Sequence, residues 1–531
     1  MGVYLNPGPA MLRQGRRSRI YVDKSRLIGY LNSVVCTEQK YVCVSRPRRF
    51  GKSMAANMVC AYYDRTVDGA AEFSGLEIAD DPSFDAERNQ YDVIRINMQE
   101  FLSSTHDVDR LLLLLQRSVM RELLREYADF DPMADAGLPF CMSDIYAQTS
   151  RPFVIIVDEW DCVMREMQDD HDAQRRYLDF LRLWLKDRPY VALCYMTGIL
   201  PIKKYGTHLA LNMFSEFSMV DPRQMAPFMG FTDAEVRGLC AAWDRSYSEC
   251  RAWYDGYRLP FTERETLEAY SPKSVVEAMT SGIFSSYWNQ TETFEALRRY
   301  IDLDMDGLHE RVVELVGVGS VPVNAGTYTN DVTTPHSADD VLTLLIHLGY
   351  LTYDAPSGRA LVPNREVMGE FANSVSAGAK RWAEVSRSIA ASDDLLDRVV
   401  VGDADAVAAG VQRAHEDASS IIAYNDENSL ACTLRLAFFS AIRRWRLVRE
   451  MPAGKGFADL TLVPLASAPA GTPGVVIELK YGETAEAALA QIRERGYDRA
   501  LDDLAASGEL VLCGIAYDPK TKTHGCVIER A

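Results

Sequence analysis

The sequence predicts an α/β protein with two separate α/β units joined by a mainly helical middle region. Three observations lead there. Short apolar runs alternate with amphipathic segments over residues 1–215, residues 216–378 change to short aromatic-rich helices, and a second strand–helix alternation begins near Glu427. Apolar strands separated by helices imply a parallel sheet covered on both faces, since a strand buried on both sides shows no polar alternation.

In the first unit the strands are Tyr41–Ser45 (YVCVS), Val93–Asn97 (VIRIN), Phe153–Val157 (FVIIV) and Val191–Met196 (VALCYM). Between them, Val108–Tyr127 carries Leu111, Leu112, Leu114 and Leu115 in an amphipathic helical pattern. In the middle region Ala338–Leu348 reads as a helix, followed by strand Tyr350–Tyr353, turn Ala355–Gly358 and strand Arg359–Val362, a winged-helix-like order. Tyr350–Tyr353 has no basic flank, so a structural or partner-binding role is expected there rather than DNA reading. Ala379–Ser420 is rich in Ala, Ser and Asp and reads as a helical spacer. From Glu427 a helix is expected to about Trp445, then strands at Ala458–Val463 and Val475–Leu479, a helix from Ala485 and a strand at Leu510–Tyr517. The expected division is 1–215, 216–378, 379–420 and 421–531.

Composition bounds the function. The 531 residues carry 57 Lys+Arg against 75 Asp+Glu, a net charge of −18, which argues against a general nucleic-acid coat but leaves a local basic groove open. Hydrophobic residues at 47% and charged residues at 25% are ordinary globular values and exclude disordered or fibrous classes. No membrane span is expected: the uncharged stretch Leu460–Ile477 is broken by Pro464, Pro469, Gly471, Pro473 and Gly474. The eleven cysteines form no C-x-x-C pair and read as reduced thiols of a cytoplasmic protein. The histidines form no H-x-x-x-H and no Cys/His quartet, so a structural zinc site is not expected.

Directly after the first strand comes Arg46-Pro47-Arg48-Arg49-Phe50-Gly51-Lys52-Ser53, and then a helix. Backbone N–H groups at such a turn wrap phosphates, a lysine reaches the β/γ oxygens, and a hydroxyl binds Mg²⁺. Gly51, Lys52 and Ser53 fill those last positions, although Arg46 stands where a P-loop has its first glycine. An isolated GKS is equally an ordinary helix start; context raises it. The strand Phe153–Val157 delivers Asp158 and Glu159 at its C-terminal end, where ligands of a parallel sheet bind. Asp158 is expected to hold Mg²⁺ and Glu159 to polarise the attacking water, with Thr197 at the tip of another strand sensing the γ-phosphate. No residue is singled out as an arginine finger: Arg48 and Arg49 on the loop either contact phosphate or are simply solvated, and Lys203 and Lys204 after the last strand are alternatives.

These residues carry a resemblance. YVDKS (Tyr21–Ser25), SRPRRFGKS (Ser45–Ser53), IIVDEWD (Ile155–Asp161), TGILPI (Thr197–Ile202), FMGFT (Phe228–Thr232), WYDGY (Trp253–Tyr257) and YSPKSV (Tyr270–Val275) resemble the AAA-ATPase-like proteins of bacteria. In that family the R-P-R-R-F-G-K-S form of the loop is usual. The resemblance implies an ATP-binding P-loop core with Lys52, Ser53, Asp158 and Glu159 in the roles just described.

Near the C-terminus, Asp459 precedes a strand, and Val475–Lys480 (VVIELK) forms the next. Glu478 and Lys480, two apart on a strand, share a face. Two carboxylates and a lysine are what metal-assisted phosphodiester hydrolysis requires: oxygen ligands for Mg²⁺ and an amine to orient or deprotonate water. An edge strand with alternating charges explains E-x-K alone; the preceding Asp459 favours the chemical reading. The arrangement resembles the PD-(D/E)XK nuclease fold, and the runs Glu427–Ala441, Arg449–Leu462, Val475–Lys480 and Gln491–Tyr497 resemble the nuclease-like domain that follows AAA-ATPase-like domains. By that resemblance Glu427 adds a metal ligand, and Gln491 and Tyr497 position the phosphate or brace the site; the role of Glu450 stays open. Arg435, Arg443, Arg444, Arg446 and Arg449, interleaved with Trp445, are either a DNA-backbone surface or a solvated helix end.

The expected function is ATP binding and hydrolysis coupled to a Mg²⁺-dependent nuclease acting on DNA. The alternative is an ATP-driven switch or scaffold whose C-terminal domain only binds nucleic acid or protein. A homo-oligomer is compatible with either.

Overall fold

The computed structural model describes residues 2–129, 133–202, 211–288, 300–303, 305, 307–317, 319–328, 335–376, 383–419, 434–448, 451–453, 456–458, 460–465, 468–495 and 509–531. The chain forms two compact units. One comprises Met1–Asp244, Gly256–Gly282 and Val323–Ala360, the other Arg245–Asp255, Ile283–Pro322 and Leu361–Ala531.

The first unit is built on a five-stranded sheet of β1 (Tyr41–Ser45), β2 (Asp92–Asn97), β3 (Phe153–Asp158), β4 (Val191–Gly198) and β5 (Ser215–Phe217), in the order β2-β3-β4-β1-β5. Every pairing is parallel. β1, β3 and β4 are buried along their whole lengths, which is why they read as unbroken apolar runs. Helix Lys52–Tyr63 follows β1 and is buried on nearly every side, packing Ala56, Val59 and Tyr63 with Val42, Val44, Val154 and Ile156. Each large apolar side chain so buried is worth about 1.5–3 kcal/mol. The long helix Val108–Glu126 starts where Asp107 accepts from the Arg110 N–H, and its apolar stripe buries Leu111, Leu115, Val119 and Leu123. Leu112 and Leu114, grouped with them in the sequence, lie off that stripe.

A second antiparallel sheet, β6 (Phe231–Thr232), β7 (Tyr257–Pro260) and β8 (Thr266–Tyr270), has the order β6-β8-β7. Thr232 caps helix Asp233–Ala242 in a reciprocal box with Glu235, and Lys24 of the YVDKS segment reaches the same carboxylate at 2.7 Å. Strand β9 (Ser320–Pro322) lies in the other unit. The expected helix Ala338–Leu348 is present, followed by β10 (Thr352–Asp354) and β11 (Arg359–Leu361). Tyr350, Leu351 and Thr352 are buried, and Thr352 accepts the Arg258 N–H at 2.7 Å, so this segment is interior structure.

The C-terminal sheet runs β12-β15-β16-β17-β18, from β12 (Trp445–Val448), β15 (Leu460–Pro464), β16 (Gly474–Tyr481), β17 (Leu510–Asp518) and β18 (Thr523–Arg530). A small antiparallel pair, β13 (Met451–Ala453) and β14 (Gly456–Ala458), stands apart. Only β16 and β17 are parallel, so the sheet is mixed. One face packs Val475, Ile477 and Leu479 with Leu395, Leu396, Val399, Val407 and Val411 from helices Ala383–Val401 and Ala404–Ser419, the segment read as a spacer. The other face packs Val476 and Leu512 against Leu489 and Ile492 of helix Ala485–Arg495.

Two readings are corrected. The helix expected to reach Trp445 stops earlier: Phe439–Arg443 is a 3-10 helix and Trp445 opens β12, its indole buried and donating to the Pro473 carbonyl at 2.7 Å. The arginines masked the strand, but edge strands commonly carry such charges. The single strand expected over Ala458–Val463 is divided between β14 and β15. Among the described residues no helix is long and apolar enough to cross a membrane.

Candidate functional site

The parallel order brings the C-terminal ends of β1, β3 and β4 to one edge of the first sheet. The loop from Arg46 to Gly51 leaves β1 there. Arg49 at φ 70° and Gly51 at φ 90° both adopt left-handed backbone, the type of turn whose successive N–H groups face inward on an anion. For Gly51 this costs little; for Arg49 it is a strain that the surrounding loop must hold. Lys52 is buried, and its Nζ donates to the carbonyls of Arg46 and Pro47 at 3.0 Å each. Burial pushes the Lys52 ammonium down from its ordinary value, opposed by the nearby charges of Glu159, Asp161 and Asp158. Ser53 is exposed at the head of the helix, Arg48 is exposed, and Arg49 is half-buried.

Arg46 explains how the loop dispenses with its first glycine. It is fully buried, and its Nη1 donates to the carbonyls of Ser45 at 2.8 Å and of Phe217 and Ser218 at 3.0 Å. The side chain thus fastens the start of the loop to the end of β5, and burial lowers its guanidinium to about 10. On the other side, Phe50 meets Tyr257 edge-on at 5.1 Å and its carbonyl accepts the Gly230 N–H at 3.0 Å, so Gly230 and Tyr257 frame the loop.

Asp158 ends β3 fully buried. Its Oδ1 accepts from the Thr197 hydroxyl, while Oδ2 has no hydrogen-bond donor among the described residues and the Arg95 guanidinium lies 4.0 Å away. A buried carboxylate oxygen without a donor, near an exposed serine-bearing helix start, suits a hard cation such as Mg²⁺. Glu159 follows at φ 54°, a left-handed conformation that turns its side chain out of the strand path. Burial raises its carboxyl, against the lowering by Lys52 and Arg165.

Two residues that the sequence reading left without a role complete this centre. Asp161 is fully buried; its Oδ2 accepts from the N–H groups of Ile199 at 3.0 Å and Leu200 at 2.8 Å. Arg165 donates to Glu159 at 2.6 Å and to Asp161 at 3.2 Å. The available signal was the third acid of DEWD with an arginine four residues later on a helix. Gly198 is needed beside them: a Cβ there would lie 2.7 Å from Trp160 Nε1 and 2.9 Å from Asp161 Oδ1.

In the C-terminal sheet, the strand alternation puts Glu478 on the face covered by helix Ala485–Arg495, where Gln491 donates to its Oε1. Glu478 is buried and Lys480 half-buried. Glu478 lies opposite Gly514 of β17, and a Cβ at Gly514 would sit 2.3 Å from the Ala485 carbonyl oxygen, so the glycine lets the helix close on the site. Glu427, Arg449, Glu450, Asp459 and Tyr497, and Lys203 and Lys204 in the first unit, lie outside the described residues. Among the described residues no group of three or more His, Cys, Asp or Glu side chains is placed to hold a metal. Of the basic run, Arg444 pairs with Asp397 at 2.7 Å and lies over Trp445, and Arg435 is half-buried near Gly319. Arg443 and Arg446 fall on the 3-10 helix and on β12, so the run does not line one helix.

Residues 12–207 match the family model described as "Predicted AAA-ATPase", and residues 425–526 match the PD-(D/E)XK nuclease superfamily. Among solved structures, the chain is similar to the Aeropyrum pernix ORC2 protein in ADPNP-ADP complexes, at 11% identity and a TM-score of 0.31, covering 68% of this chain and 97% of that one. No curated protein matches the chain.

Proposed function

We propose, starting from a chain that carries an AAA-ATPase-like domain at 12–207 and a PD-(D/E)XK nuclease superfamily domain at 425–526, that it hydrolyses ATP and uses the nucleotide cycle to gate cleavage of DNA. The observation that carries this reading is the convergence of Lys52, Asp158, Glu159 and Thr197 at one edge of a parallel sheet.

In this reading Lys52 exchanges the Arg46 and Pro47 carbonyls for phosphate oxygens, so the loop already holds the ammonium near its working position. Loop N–H groups between Arg46 and Lys52 bind phosphate, with Arg48 and Arg49 beside them. Glu159 orients the attacking water, and Thr197 fixes the Asp158 carboxylate. Ser53 and Asp158 would hold Mg²⁺ at this centre, as Asp459, Glu478 and Glu427 would at the nuclease centre. When bound, the ion supplies charge neutralisation on phosphate oxygens. At the second centre Gln491 holds Glu478, Lys480 orients or deprotonates the attacking water, and Tyr497 positions the scissile phosphate or braces the site. DNA would be met locally by Arg435, Arg443, Arg444, Arg446 and Arg449, as a chain of net charge −18 requires. The functional division proposed is 1–215 for the ATPase core, 216–378 for the lid and 421–531 for the nuclease, with 379–420, first read as a spacer, supplying the helices that cover one face of the nuclease sheet. A cytoplasmic setting belongs to the same reading, since cysteines without a C-x-x-C pair suit a reducing compartment.

The test is a cleavage assay on single- and double-stranded DNA and RNA, with Mg²⁺, with and without ATP, comparing wild type with Lys52→Ala and Lys480→Ala. Lys480→Ala should abolish cleavage, and Lys52→Ala should abolish its ATP dependence. Equal inertness of all three chains would remove the nuclease half. ATP turnover without cleavage of any of these substrates, with function unchanged in Asp459→Ala and Lys480→Ala, would favour the switch reading.

A further inference from the structure

Glu159 lies one residue beyond β3 on left-handed backbone, and its position is not left to its own rotamers. Arg165 Nη2 donates to Glu159 Oε2 at 2.6 Å, and the same nitrogen reaches Gln99 Oε1 at 3.4 Å. Arg165 Nε reaches Asp161 Oδ2 at 3.2 Å, and this oxygen also accepts the N–H groups of Ile199 and Leu200. Those two residues follow Gly198, the last residue of β4, directly after Thr197. The Arg165 side chain is 10% exposed and that of Glu159 21%. A continuous polar chain therefore runs from the Glu159 carboxylate to the backbone just past Thr197, whose hydroxyl is bonded to Asp158.

We propose that Arg165 is a positioning residue for Glu159: it holds the carboxylate in the orientation used for hydrolysis, and takes its own orientation from Asp161 and the segment after Thr197. The proposal rests on the ATPase reading of the site. Three physical points carry it. The planar fork of a guanidinium engages two carboxylates with separate nitrogens, whereas an ammonium presents one point of charge. The spacing of Asp161 and Arg165 on consecutive turns makes that pair local, so it is formed whenever helix Cys162–Glu166 is formed. Partial desolvation makes each link strong and its loss costly, because the partner is left buried and uncompensated. A carboxylate held by one oxygen keeps the other for water.

The experiment measures kcat for ATP hydrolysis and the Kd of a fluorescent ATP analogue on the full chain, for wild type, Arg165→Ala, Arg165→Lys, Glu159→Gln and Glu159→Gln/Arg165→Ala. Arg165→Ala should lower kcat about 10- to 100-fold, the scale of losing a positioned proton-handling group, with analogue Kd within about twofold. Arg165→Lys should recover only part of kcat. On the Glu159→Gln background the Arg165 change should have no further effect on kcat, because the orientation it sets no longer matters. Unchanged or raised kcat in Arg165→Ala, or full additivity with Glu159→Gln, would overturn the assignment while leaving the ATPase reading in place. A wild type that binds the analogue but never turns over ATP would overturn the ATPase reading and the assignment with it. Should Arg165→Ala fail to fold, the comparison of Arg165→Lys with Arg165→Gln decides the same point.

Discussion

Replacing Asp161 tests how firmly the nucleotide edge is built. In the wild type one buried oxygen, Asp161 Oδ2, accepts the Ile199 N–H at 3.0 Å, the Leu200 N–H at 2.8 Å and Arg165 Nε at 3.2 Å. In Asp161→Asn an amide oxygen of the same shape keeps both backbone bonds, but they change from charge-assisted to neutral. At about 1 kcal/mol lost per bond, the expected cost is ~2 kcal/mol. In Asp161→Ala both N–H groups lose their acceptor at about 1–3 kcal/mol each, so the expected cost is ~2–6 kcal/mol, with the lost Arg165 link adding to it. The chain has two compact units, so a single global unfolding energy is not the right readout. Hydrogen exchange of a peptide covering Ile199 and Leu200 reads the affected bonds directly. A cost of ~2 kcal/mol corresponds to about 30-fold faster exchange in Asp161→Asn if these amides open with the local network, and Asp161→Ala should be faster again. Equal protection in wild type and Asp161→Ala would refute the reasoning, because the two N–H groups would then have another acceptor or a different route to protection.

Three further expectations concern other parts of the molecule. Gly514→Ala forces a Cβ to within 2.3 Å of the Ala485 carbonyl oxygen and 2.9 Å of the Leu489 nitrogen, both backbone atoms. It should lower the unfolding midpoint of the C-terminal unit by a shift worth ~1–3 kcal/mol, and protection of the Gln491 peptide should fall with it. Glu370 is buried and, by that burial and then the charge of Glu366, its carboxyl is raised from 4.5 to about 7. A raised folded value means stability fully present below pH 4.5 and lost as pH rises through 7. Glu370→Gln should therefore flatten the fall in thermal midpoint between pH 5 and pH 8, with a gain of ~1–2 kcal/mol at the upper end after allowance for screening. Thr232→Ala removes the side-chain half of a capping box and should destabilise helix Asp233–Ala242 by about 1 kcal/mol, read as increased exchange in its first turn.

Much of the fold was legible because burial on both faces leaves an unmistakable pattern. β1, β3 and β4 needed no alternation, and their unbroken apolar runs marked them as interior parallel strands. The position of the DE pair was legible because it directly follows an unbroken apolar run, which puts it at the C-terminal end of β3. The face of Glu478 followed from the period of two, and the structure adds Gln491 as its hydrogen-bond partner on that face. Other strands were not legible. β5 is three residues long and only partly buried, so its membership in the sheet comes from pairing with β1 rather than from its own composition. β12 was hidden by arginines, and β18 by an alternation of exposed and half-buried residues typical of an edge.

By itself, then, the sequence determined which segments are interior strands, where the R-P-R-R-F-G-K-S loop and the strand-end acids fall, and that two α/β units share one chain. Only the tertiary structure decided the contacts on which those residues depend. Arg46, which the sequence showed only as the residue in place of a first glycine, is buried, because three backbone carbonyls from Ser45, Phe217 and Ser218 converge where only folding brings them. Asp161 and Arg165 acquired their importance from the N–H groups of Ile199 and Leu200, more than thirty positions away along the chain. Local propensity and periodicity are properties of neighbours in sequence. A buried charge is held by whichever donors and acceptors the packed chain delivers to it, and that is set by the topology of the sheet.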